Sequence, residues 1–132
     1  MSADCCGGAE PKDLVASKWV SLIVWKLPLA VFAVGFFTSP SLRAVLWSVS
    51  LGVAGAGCLV NAARCGRVHC YFTGPLFLIG AGVSLAHGVG LVSLSATGWM
   101  GIGLAVILGG CALTLLPERV WGKYWRGNSC GR

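Results

Sequence analysis

Two cysteines five residues apart, Cys65 and Cys70, lie in the run NAARCGRVHCYFTGP, Asn61 to Pro75, with His69 beside the second and Arg64 and Arg67 close by. It is the densest polar island in an otherwise apolar body. Thiol, imidazole and guanidinium groups are costly next to lipid unless they have partners or a task. Thiolate and imidazole are ligands for soft metal ions. Two geometries are open. On one helical turn Cys65 and His69 share a face at i,i+4 spacing. In a loop, Cys65 and Cys70 fold toward each other around Gly66. Either arrangement offers two or three soft ligands, and neither is the Cys-x2-Cys pattern of a structural zinc site.

The chain has seven cysteines. Cys5 and Cys6 are adjacent, so they do not readily bridge each other, yet a soft ion accepts both with help from a third ligand. Cys58 and Cys111 fall a turn or two inside apolar runs, at positions that antiparallel helices would bring to comparable depth. Taken singly, each also suits a small buried hydrophobe. Together with the island they form a line of thiols along which a soft ion can pass by ligand exchange. The candidate metal ligands are therefore Cys65, Cys70, His69, Cys5, Cys6, Cys58 and Cys111. His87 lies toward the other half of the membrane, where imidazole either ligates or hydrogen-bonds across helices. No catalytic residue and no tightly bound cofactor is expected, only a transient soft metal ion such as Hg(II).

The elements that must position these groups are membrane helices. The chain is 56% hydrophobic and 11% charged, against about 25% charged in an average soluble domain, and its mean hydropathy is +0.80. Four spans of roughly 20 residues each use most of the 132 residues. The apolar runs predict helices over Trp19 to Phe37, Leu42 to Ala62, Tyr71 to Val92 and Trp99 to Leu116. Thr38-Ser39-Pro40 stops the first run, and Pro117 ends or kinks the last. Gly74-Pro75 suits the opening turn of the third helix, with Thr73 as its cap. The first run lacks a small-residue cleavage site and reads as a retained helix. Residues 1–18 are then a flexible arm, 19–117 the membrane domain and 118–132 a basic tail. Glycine and alanine in the later helices suit close packing in lipid.

Charge orients the bundle. The formal net charge is +6, with Lys12, Lys18, Arg64, Arg67, Arg119, Lys123, Arg126 and Arg132 on one side and only Arg43 on the other. Positive residues beside membrane spans stay in the cytosol. The expected fold is all-α: a polytopic protein of the cell inner membrane, four transmembrane helices in a compact bundle, both termini and the island cytosolic. These basic residues set topology, so no nucleic-acid partner is expected. Thiols on that side stay reduced.

In size, topology and cysteine richness, with Cys5-Cys6 and Cys65/Cys70 as its residues, the chain resembles the small bacterial inner-membrane mercuric ion transport proteins. Members of that family often carry a vicinal cysteine pair in the first membrane helix; here that helix has none. The resemblance implies delivery of Hg(II) to a cytosolic metal-accepting thiol protein. The function expected is soft-metal transport across the cytoplasmic membrane, with the ion or its thiol complex and the lipid bilayer as partners, and no enzymatic activity. Two other classes fit the composition: a membrane thiol-disulfide or quinone-linked redox protein using Cys65 and Cys70, and a structural or regulatory subunit of a membrane complex.

Overall fold

A computed structural model describes residues 18–66 and 68–121, apart from the side chains of Cys65, Glu118 and Trp121. Four long apolar helices make an all-α bundle: α1 (Lys18–Gly35), α2 (Pro40–Cys65), α3 (Val68–Gly88) and α4 (Ala96–Trp121). Each is long and apolar enough to cross a membrane, and the chain is a multi-pass membrane protein. α2 and α3 share the most extensive interface, with α1 packed on α2 and α4 on α3.

The turns follow from residue chemistry. Ser39 is extended and Pro40 starts α2, because the first helical position needs no backbone donor. Ser95 starts α4, its hydroxyl accepting the Gly98 N–H at 3.2 Å, the bond expected of a serine cap. Gly66 ends α2 in the left-handed region at φ 64°, and its N–H reaches the Ala62 carbonyl at 2.8 Å. Glycine adopts that conformation without the steric penalty of a Cβ.

α2 and α3 therefore run almost to each other. The island is not a loop: α2 continues through Cys65 and α3 begins at Val68, so most of it is helical. The expected start of α3 at Tyr71 or Phe72 is too late by about a turn. Val68 and Cys70 are fully buried, and their packing keeps this polar segment helical. Pro75 consequently lies inside α3 rather than in its first turn. Thr73 is not a cap. It is buried within the helix and donates to the His69 carbonyl at 2.9 Å. α4 likewise continues through Pro117 to Trp121.

The opposite end of the bundle is held by aromatics and one arginine. Phe32 and Trp47 stack with ring centroids 4.5 Å apart, and Trp99 meets Trp47 edge-on at 5.3 Å. The Trp47 indole N–H donates to the Phe32 carbonyl at 3.0 Å. Arg43 donates from Nε to the Gly35 carbonyl at 2.9 Å and from Nη2 to the carbonyls of Phe36 and Thr38 at 3.1 and 2.9 Å. These carbonyls lie at and just beyond the end of α1, where regular helical donors run out, and the Gly35 carbonyl also accepts from the Thr38 N–H and hydroxyl. His87 serves the next turn: its Nδ1 lies 3.1 Å from the Leu94 N–H and 3.0 Å from the Val92 carbonyl, and its ring packs on Trp99. These bonds are to the turn that follows its own helix, not across to another helix.

The α2–α3 interface depends on backbone proximity. A Cβ at Gly55 would lie 3.0 Å from the Gly74 carbonyl oxygen, and one at Gly74 would lie 2.8 Å from the Leu59 side chain. Small residues permit such approach where no aqueous hydrophobic force drives helices together. Gly55→Leu should separate α2 from α3 and destabilise the fold by about 1–3 kcal/mol, measured by SDS titration of the detergent-solubilised protein. At the other end, Arg43→Lys keeps the charge but loses the planar fork. The same titration should register a loss of about 1–2 kcal/mol.

Candidate functional site: a buried dithiol

Helix ends bring polar groups together only if register cooperates. Cys58 sits two turns before the end of α2, and Cys70 sits in the first turn of α3. The Gly55–Gly74 approach sets Cys58 against the opening of α3, with the Cys58 Cβ 3.4 Å from where a Gly74 Cβ would be. Cys58 and Cys70 lie in one buried cluster with Ala62. Both residues are fully buried, and both thiols are free.

Each sulfur has further polar company. Thr73 Oγ1 lies 3.4 Å from Cys58 Sγ. His69 Nε2 lies 3.3 Å from Cys70 Sγ, and the Asn61 amide donates to the same sulfur at 3.8 Å. Asn61 is itself fully buried, while His69 is half-buried. Tyr71 closes the turn by donating to the Ala62 carbonyl at 3.2 Å. Around the sulfurs the packing is apolar: Ala62 completes the buried cluster, and Trp25 and Phe77 pack against it.

Trp25 reaches the cluster through a local widening of α1. Leu22–Lys26 forms a π-helical turn, in which the Leu27 N–H bonds the Leu22 carbonyl five residues back. Pro28 follows at once, and a proline ring clashes with the carbonyl four residues earlier in a regular helix. The wider turn accommodates it. The Trp25 indole N–H is buried and has no acceptor among the described residues.

Sequence spacing offers Cys65 as a neighbour of Cys70; the fold adds Cys58, which shares a buried cluster with Cys70 across the α2–α3 interface. Gly66 breaks the helix between Cys65 and His69, so these two do not share a helical face. The Cys65 side chain lies outside the described residues, as do Cys5 and Cys6. Cys111 is exposed on α4, whereas Cys58 is buried on α2. Thr73 and Asn61, read as cap and island edge, turn out to flank the sulfurs. Trp25 carried no sequence signal beyond its closeness to Lys26 and Pro28.

Among the described residues, no three His, Cys, Asp or Glu side chains are placed to hold a metal ion together. The site is a pair of thiols with neighbouring hydrogen-bonding groups. Two thiols in this relation can do two things. They can bind a soft cation that accepts two sulfur ligands, or they can close to a disulfide when an electron acceptor is supplied. No protein-family model, curated protein or solved structure matches the chain. The chemistry is therefore read from the geometry of the site.

The placement of both cysteines in one buried cluster has a direct consequence. Diamide, a two-electron azo oxidant, should link Cys58 to Cys70 within one chain and be reduced to the hydrazine. Peptide mass spectrometry would detect the linked peptides with the loss of two hydrogens. A Cys58–Cys111 link in their place would contradict the arrangement described.

Proposed function

We propose that this membrane protein carries a two-coordinate soft cation, Hg(II) foremost, and that Cys58 and Cys70 are the ligands that receive it. The supporting observation is the buried, reduced thiol pair inside a bundle of four membrane-spanning helices. Among the described residues no third donor converges with the two sulfurs on a metal position, and a two-sulfur site suits cations that prefer two ligands over zinc, which takes four. His69 Nε2, 3.3 Å from the Cys70 sulfur, is placed to take the proton that the thiol gives up on binding. The positive-inside bias sets the dithiol near the cytosolic face of the inner membrane. Cys65, directly before the turn at Gly66, is then a next acceptor toward a cytosolic thiol protein, and Cys5 and Cys6 extend the same route. This is the transport expected of the mercuric ion proteins that the sequence resembles, with the membrane-embedded pair supplied by two helices instead of by neighbours in one.

A second reading has its own support in the packing of both thiols into one buried cluster. Oxidation of the pair by a quinone would form one S–S bond and pass two protons and two electrons to give the hydroquinone. Full burial of both thiols favours a lipid-soluble acceptor of that kind over a water-soluble one. In that reading the protein is a membrane thiol-disulfide redox carrier.

A chain carrying Cys5→Ser, Cys6→Ser, Cys65→Ser, Cys111→Ser and Cys130→Ser isolates the pair. Purified and reduced, it should bind one Hg(II) per chain. Adding Cys58→Ser or Cys70→Ser should weaken binding by at least about 100-fold, since one thiolate cannot replace two. Binding that survives both additions would refute the dithiol as the metal site. Uptake of Hg(II) into proteoliposomes by the same variants reads transport directly.

A further inference from the structure

A donor-only group sits beside the two sulfurs. Indole nitrogen donates one hydrogen bond and accepts none. The Trp25 ring packs against the cluster that holds Cys58, Ala62 and Cys70, and its N–H is buried without an acceptor among the described residues. Leaving such a donor unpaired in an apolar setting is unfavourable, and native structures rarely retain one without a reason. The positive end of an N–H dipole repels a bare cation. It favours an anionic ligand that the cation brings with it.

We infer that Trp25 is a third recognition group of the dithiol site, its indole N–H donating to a thiolate or halide carried in on a divalent soft cation as a neutral complex. The inference rests on the dithiol reading above. Charge supports the neutral form, because an unpaired ion at this depth faces a large desolvation cost. Exchange also remains neutral throughout. The Cys58 thiol displaces one ligand: a metal–ligand bond breaks, a metal–sulfur bond forms, and the thiol proton leaves with the departing ligand. Cys70 then displaces the second ligand in the same way, with His69 Nε2 positioned to carry the proton. No oxidation state changes. Electron density grows on each ligand as it departs, and the Trp25 N–H hydrogen-bonds to it at that moment.

The π-helical turn explains how the ring comes to be there. It precedes the buried Pro28 and contains Trp25, so the residue that disturbs α1 also fixes the position of the indole. Such turns recur at functional sites.

The test uses the full-length chain that retains only Cys58 and Cys70, in lipid nanodiscs, with three probes: mercury bis-cysteinate, mercuric chloride, and silver nitrate as a source of weakly ligated cation. Trp25→Phe keeps the ring and removes the donor. It should slow transfer from both mercury complexes by about tenfold, the loss of one charge-assisted hydrogen bond, and change silver transfer by less than about twofold. Unchanged mercury rates, or equal slowing with silver, would overturn the inference. In the protein with Trp25 intact, the indole 1H–15N resonance of Trp25, assigned through its own backbone, should move downfield during titration with mercury bis-cysteinate and hold its place with silver nitrate. A resonance that ignores the mercury complex overturns the inference whether or not the Phe variant folds. Mercury binding that persists after Cys58→Ser and Cys70→Ser would instead refute the dithiol site itself, so the two failures are distinguishable.

Discussion

Where α2 meets α3, backbone approaches backbone at Gly55 and Gly74, and the rest of the site depends on that closeness. Lipid gives no aqueous hydrophobic drive for helices to associate, so contact must come from fit and from polar groups that find each other. With glycine at the crossing, Cys58 comes within reach of Thr73 and Cys70. A larger residue at either position would set the sulfurs apart and leave Thr73, Asn61 and the thiols without one another. In hydrocarbon those groups have no water to turn to.

The two ends of the bundle meet the same requirement differently. At the Arg43 end a single guanidinium satisfies three carbonyls, and a group of aromatic rings covers it, with the Arg43 guanidinium carbon 5.7 Å from the Trp99 ring centre. Every described bond there is structural. At the Gly66 end the polar groups converge on two sulfurs, which are weak hydrogen-bond partners and strong soft-metal ligands. Thr73 and Tyr71 each serve a backbone carbonyl, while Cys58 meets Thr73 and Cys70 meets His69 and Asn61. Rigidity at one end and chemistry at the other is what this distribution of polar residues implies.

Much of the fold was legible in the sequence, because four apolar runs of the right length admit few arrangements in a membrane. The island was also visible, since charge and thiols stand out against such a background. The approach of Cys58 to Cys70 across the α2–α3 interface was not. Sequence spacing reports neighbours along the chain, and by that measure Cys65 is the natural partner of Cys70. The partner across an interface depends on helix register, which is set by Gly55, Gly74 and the left-handed turn at Gly66. Uniformly apolar helices give little sign of which face turns inward. Hence Cys58 and Cys111 looked equivalent in sequence, yet one is sealed between α2 and α3 and the other is exposed on α4. Thr73 was misread for a related reason. With Gly74-Pro75 behind it, it resembles a cap, and only the burial of Val68 and Cys70 extends the helix past it.

Burial of the sulfurs constrains how anything reaches them. Cys58 and Cys70 expose no surface, and the partly buried side chains packed against their cluster are Trp25 from α1 and Phe77 from α3. Phe77 also packs against the aromatic core, so moving it disturbs both clusters. Trp25 has no such second attachment among the described contacts, and its helix is the least buried of the four. The π-helical turn beneath it already departs from regular hydrogen bonding, so a further change there sacrifices less than one in α2 or α3. Displacement of α1 at Trp25 is therefore the least costly route to the thiols. The group that would receive a ligand is also the group that must yield to admit it.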